Sequence, residues 1–112
     1  MTLSTTPMRF RRGQVGARQL HDEVQLVLRE LGDPGSDAAR RAREADLNVA
    51  TLTGAKITLA EERQGLDPTA VTILVTIVTE LGVRVVTSLW DVVVLPRLKR
   101  KFGIKALGER VD

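Results

Sequence analysis

Any fold open to this chain has to bury the stretch Asp67 to Leu95, DPTAVTILVTIVTELGVRVVTSLWDVVVL, which holds most of the large apolar side chains. By residue propensity it reads as two strands, because Val, Ile and Thr dominate and Glu80-Leu81-Gly82 offers a turn. By periodicity it reads as a helix. At about 100° per residue, Thr69, Thr72, Thr76, Thr79, Glu80, Arg84, Thr87, Ser88 and Asp91 share one half of the wheel. Val71, Leu74, Val75, Val78, Leu81, Val85, Val86, Leu89, Val92 and Val93 fill the other half. Asp67 suits an N-cap, Pro68 the first helical position, and Leu66 can staple onto Val71. Glu80 and Arg84 stand i, i+4 in the favourable order. Pattern and start signal together predict one long helix over 67–95.

Such a helix would run about 40 Å, long enough to cross a bilayer. Glu80, Arg84 and Asp91 lie inside it, however, and each charge costs about 2.5–3.5 kcal/mol near a bilayer centre. The longest uncharged run, 68–79, is too short to span alone. Burial in protein is therefore the expectation, with Val71, Leu74, Val78, Leu81, Val85, Leu89 and Val92 as the interface set. A chain of 112 residues is one domain with a limited core. Its remaining elements are short for covering so much apolar surface, which argues for a homo-oligomer or an unidentified protein partner.

Composition excludes several chemistries. There is no Cys for a disulfide or a thiolate metal site, and a lone histidine, His21, makes neither a zinc site nor a triad. Tyr is absent, and only Phe10, Trp90 and Phe102 are aromatic, which is poor material for stacking bases. No catalytic, cofactor-binding or metal-binding residue can be named, no cofactor is expected, and no constellation supports an enzyme. Net charge is +3 with basic ends. Arg9, Arg11, Arg12 and Arg18 precede the first acid, Asp22, and Arg97, Lys99, Arg100, Lys101 and Lys105 follow Asp91 without an acid among them. Arg97, Lys99, Arg100 and Lys101 are candidate contacts to an anionic membrane; nucleic acid is the weaker alternative. The N-terminus MTLSTTPMRFRRG has no apolar signal region, so the expected location is cytoplasmic, with membrane association as a variant.

In chain order, residues 1–13 read as a flexible basic arm, or a short edge strand if something pairs with it, and 14–112 as one small domain. A helix is expected over Gln14–Leu31, with the stripe Ala17, Leu20, Val24, Val27, Leu28 and Leu31, stopped by Gly32 and Asp33-Pro34-Gly35. Ser36 caps a second helix, 37–46, whose apolar side is Ala38, Ala42 and Ala45. Residues 47–62 admit two readings: a small hairpin, with Ile57 and Leu59 on one face and Leu47–Leu52 as partner strand, or a continued helix. Pro96 should kink or end the long helix, and Gly103 ends the basic turn after it.

The order of elements, a strand KITLAEE, a polar link, a long apolar helix and the basic stop PRLKRK, resembles the effector-associated constant component domains of bacterial conflict (defence) systems. The likeness spans Ala55 to Lys101. It implies a small non-enzymatic module accompanying variable effectors such as proteases and nucleases. The expected architecture is α+β and helix-dominated: two short N-terminal helices, a small β-hairpin and one long apolar helix, with an all-α fold as alternative. The expected function is a self-associating interaction module, with a membrane-inserting protein or a nucleic-acid accessory as alternatives.

Overall fold

The computed structural model describes residues 3–63 and 71–111. In chain order the elements are β1 (Ser4–Arg12), α1 (Ala17–Leu31), α2 (Asp37–Glu44), α3 (Val49–Leu52), β2 (Lys56–Arg63) and β3 (Val71–Thr79). Then come α4 (Val83–Ser88), a π-helical segment (Leu89–Val94), α5 (Leu95–Phe102) and β4 (Leu107–Arg110). The four strands form one sheet in the order β2-β3-β1-β4, and every neighbouring pair is antiparallel. β1 and β2 therefore run parallel with β3 inserted between them, and α1 to α3 make the crossover. This is the split β-α-β, ferredoxin-like arrangement.

The long helix over 67–95 does not form, and neither the helix-dominated architecture nor the all-α alternative survives. Eight of the nine residues in VTILVTIVT are β-branched, stiff at χ1 and well packed on a pleated surface. Once in a sheet their period is two. Ile73, Val75 and Ile77 are buried under the helices, while Thr72, Leu74, Thr76 and Val78 face the other way. The wheel misled because threonine suits either environment. Thr72 and Thr76 lie on the outer face, but Thr79 is buried and accepts the Leu81 N–H at 3.2 Å. The residues proposed as cap and staple, Leu66, Asp67 and Pro68, lie outside the described residues.

The helical part of the stretch starts after Gly82, which caps α4. Val86, Leu89, Trp90, Val93, Val94 and Leu98 are buried, at helical spacing. Pro96 does not end the helix. The turn widens just before it, with the Leu95 N–H reaching back to the Trp90 carbonyl. That extra room relieves the clash a proline ring makes with the preceding turn.

Residues 4–12 are not a loose arm. They form β1, an inner strand paired with β3 along its length and with β4 at its end. Met8 and Phe10 are buried on the helix side, opposite Val75 and Ile73. Pro7 is tolerated here for a geometric reason. Arg9 accepts the Val111 N–H on the β4 side, so by alternation the Pro7 nitrogen points that way too, in a part of β1 that β4 does not reach. Gly13 allows the close approach of the chain before β4, since a Cβ there would lie 2.1 Å from the Lys105 carbonyl oxygen.

The first two helices form, α1 starting three residues later than expected, at Ala17, with its stripe buried except for the half-covered Leu28, and α2 ending two residues earlier, with the Ser36 hydroxyl accepting the Ala39 N–H at 3.1 Å. The strand KITLAEE forms as well, but its partner is β3; residues 49–52 are a helical turn capped by Asn48. The outer edge of β2 is covered by α1. Gln25 donates to the Ile57 carbonyl at 2.7 Å, and His21 Nδ1 accepts the Leu59 N–H at 3.3 Å. These bonds satisfy strand groups that would otherwise template pairing with another chain.

Candidate functional site

All helices pack on one face of the sheet, where Met8, Phe10, Ile57, Leu59, Ile73, Val75 and Ile77 join the helical side chains in one core. The other face carries no element among the described residues. Across it run four rows of cross-strand neighbours: Thr5–Val78–Lys56, Pro7–Thr76–Thr58, Arg9–Leu74–Ala60 and Arg11–Thr72–Glu62. The middle of the face is thus aliphatic and hydroxylic, with Leu74 and Val78 half-buried on the central strand. Arg9 crosses β3 to pair with Glu62 at 3.0 Å. Both side chains are about a third exposed, so this pair holds orientation more than it stabilises.

The expected interface set is dispersed by the fold. Leu74 and Val78 share the open face, while Val71 lies in the register of the covered one. Leu81 and Val85 pack at the edge of the core, Leu89 is fully buried within it, and Val92 is exposed on the helix. No single surface holds these seven residues, because the strand and the helix replace one continuous wheel.

The expected anionic contacts also divide. Arg97 spends all its donor nitrogens inside the protein: Nε meets Glu23 Oε2 at 2.8 Å, and Nη1 and Nη2 meet the two Glu30 oxygens at 2.9 and 2.7 Å. Glu23 is only 5% exposed, so this clamp ties α5 to α1 through a largely desolvated carboxylate. Hydrogen bonding from Arg97 holds the Glu30 carboxyl below its ordinary range, against the opposing effect of partial burial. Arg100 reaches Asp37 Oδ2 at 3.0 Å. Asp37 is also bonded by Arg41 and Arg40, and these hydrogen bonds hold its carboxyl far below the usual aspartate range. Lys99 and Lys101 are exposed, with no ion pair among the described residues.

Sequence reasoning missed the clamp. Glu23 and Glu30 stand seven apart on one side of α1, a spacing that marks a shared helix side, but nothing local ties them to an arginine 67 residues beyond Glu30. His21, half-buried, is a backbone-satisfying side chain of the β2 edge.

Sheets of this topology that read single-stranded RNA stack bases on outward aromatic side chains. Here Phe10 and Trp90 pack together on the helix side, with ring centroids 5.5 Å apart, and the four rows contain no aromatic ring. Among the described residues no group of three or more His, Cys, Asp or Glu could hold a metal ion, and no helix is long and apolar enough to cross a membrane. Compared with known proteins, the chain matches no family model, no curated protein and no solved structure.

Proposed function

We propose that the chain is a small non-enzymatic assembly module that self-associates through the open face of its sheet. The observation that carries this reading is the outward pair Leu74 and Val78, half-buried on the central strand with Pro7, Thr58, Ala60 and Thr76 around them. A second sheet laid on this face about 10 Å away would bury both side chains. Each aliphatic side chain fully removed from water contributes about 1.5–3 kcal/mol, and these two start half-covered. The interface would be of moderate strength and would depend on its centre. The resemblance to constant components of conflict systems agrees with a partner-binding role, although β3 stands between KITLAEE and the helix where the likeness expects the helix itself.

Sedimentation equilibrium over a wide concentration range tests the reading. Wild type should associate reversibly, and Leu74→Arg should give a folded monomer, because the new guanidinium starts in water and is excluded only from the interface. A monomeric wild type, or a Leu74→Arg variant that associates as strongly as wild type, would refute it.

A further inference from the structure

We propose that the turn after α5 is a docking tip for an anionic lipid surface. Its centre is Ile104, 80% exposed, the most exposed large hydrophobic side chain among the described residues. Turn positions ordinarily take Gly, Asn, Asp, Ser or Pro. A β-branched aliphatic side chain held out in water there is unusual in kind, and the turn that holds it is closed. The Gly103 N–H donates to the Lys99 carbonyl at 2.8 Å, and the Ala106 N–H returns to the Gly103 carbonyl at 3.0 Å. Gly103 has a φ of 97°, a backbone state that excludes most other residues. The Lys105 carbonyl is tied to the Gln14 N–H at 2.9 Å, and Ala106 and Leu107 are buried directly afterwards. The isoleucine is therefore displayed by a braced turn.

The charge around it selects the partner. Lys99, Lys101 and Lys105 are exposed, Arg100 is held by Asp37, and no acid occurs in the sequence from Val92 to Gly108. An exposed aliphatic side chain in an acid-free stretch with Lys99, Lys101 and Lys105 matches the outer layer of an anionic bilayer, where aliphatic carbon enters the headgroup–acyl boundary and ammonium groups meet lipid phosphate and carboxylate. Nucleic acid would use the lysines and leave Ile104 in water. With one apolar anchor and three lysines that form no ion pair among the described residues, docking is peripheral and reversible. It uses neither Leu74 nor Val78, so it stands or falls separately from self-association.

Co-sedimentation with phosphatidylcholine vesicles, with and without about one third phosphatidylserine, tests the tip. Wild type should bind only the mixed vesicles. Ile104→Ser should weaken binding by about tenfold or more, and Ile104→Trp should strengthen it. Lys101→Ala and Lys105→Ala should each cost about fivefold. Ile104 is exposed enough that neither of its replacements disturbs the core, and Leu74→Arg should bind as wild type does. Failure of wild type to bind the mixed vesicles overturns the proposal. So does binding that ignores Ile104→Ser while yielding to added polyanion, which would mark an unspecific cationic patch.

Discussion

Arg97 ties α5 to α1 through a contact that a single change can remove. Replacing it with methionine keeps a comparable unbranched stem but strands Glu23, whose side chain is 6% exposed, without its guanidinium. Removing one partner of a buried pair costs about 3–5 kcal/mol. Arg97 is itself about a quarter exposed, so water can partly replace it, and the low end, about 3 kcal/mol, applies. Glu30 is a third exposed, and losing its bidentate contact adds about 0.5 kcal/mol. For a domain near this size that total lowers Tm by roughly 12–25 °C without unfolding a protein of ordinary stability. Urea titration should show the midpoint falling with the slope unchanged. The diagnostic is the double variant Arg97→Met/Glu23→Leu. If the cost arises from a stranded carboxylate, removing it should restore about 2 kcal/mol, because an apolar replacement of a buried pair is often neutral. A double variant no more stable than Arg97→Met would refute that reasoning and place the loss in helix docking alone.

One carboxylate and two glycines carry three further predictions. Glu30 is depressed below its ordinary value of 4.5, so the folded state holds fewer protons than the unfolded one in that range. Its contribution is complete above about pH 4.5 and is lost as pH falls through the depressed value; Glu30→Gln should flatten the stability–pH curve below that point, and an unchanged slope would contradict the Arg97 contact. Gly13→Ala should destabilise by about 1–3 kcal/mol by forcing the Lys105 carbonyl away. Gly54→Ala, with only the Thr51 carbonyl oxygen near at 3.9 Å, should instead be neutral or stabilise by about 0.4–1 kcal/mol in thermal melts.

Much of the first half of the fold was legible in the residues. The stripe of α1, the Ser36 cap of α2 and the alternation of KITLAEE are local signals, and each forms the element expected. The misreading of Val71–Thr79 has a physical cause. Over nine residues, Thr72, Thr76 and Thr79 satisfy helical spacing while Thr72 and Thr76 alone satisfy strand alternation, so the wheel looked the better fit and composition should have outweighed it. β1 was legible only as the alternative to a flexible arm, and as an edge rather than an inner strand, because its pairing with β3 joins residues more than sixty apart and only that pairing makes a Thr- and Arg-rich segment structural. Of the candidate interface, Leu74 and Val78 kept an outward place, while Leu89 went to the protein's own core with Val86 and Val93 of the same apolar half, because the helix that begins at Val83 turns that side inward. Arg97 and Arg100 looked like free cations because their carboxylates lie on α1 and α2, out of local view.

The central claim is that Val71–Thr79 is a strand between β1 and β2, since the open face exists only if it is. NMR of the labelled protein measures this directly. Because the Leu59 N–H and Ile57 carbonyl bond α1, the pairs Leu59–Val75 and Ile57–Ile77 are the close, non-hydrogen-bonded pairs of the ladder. Cross-strand Hα–Hα contacts for both pairs are the predicted result. Helical contacts between each Hα and the amide three residues on, continuous from Val71 through Thr79, would contradict it.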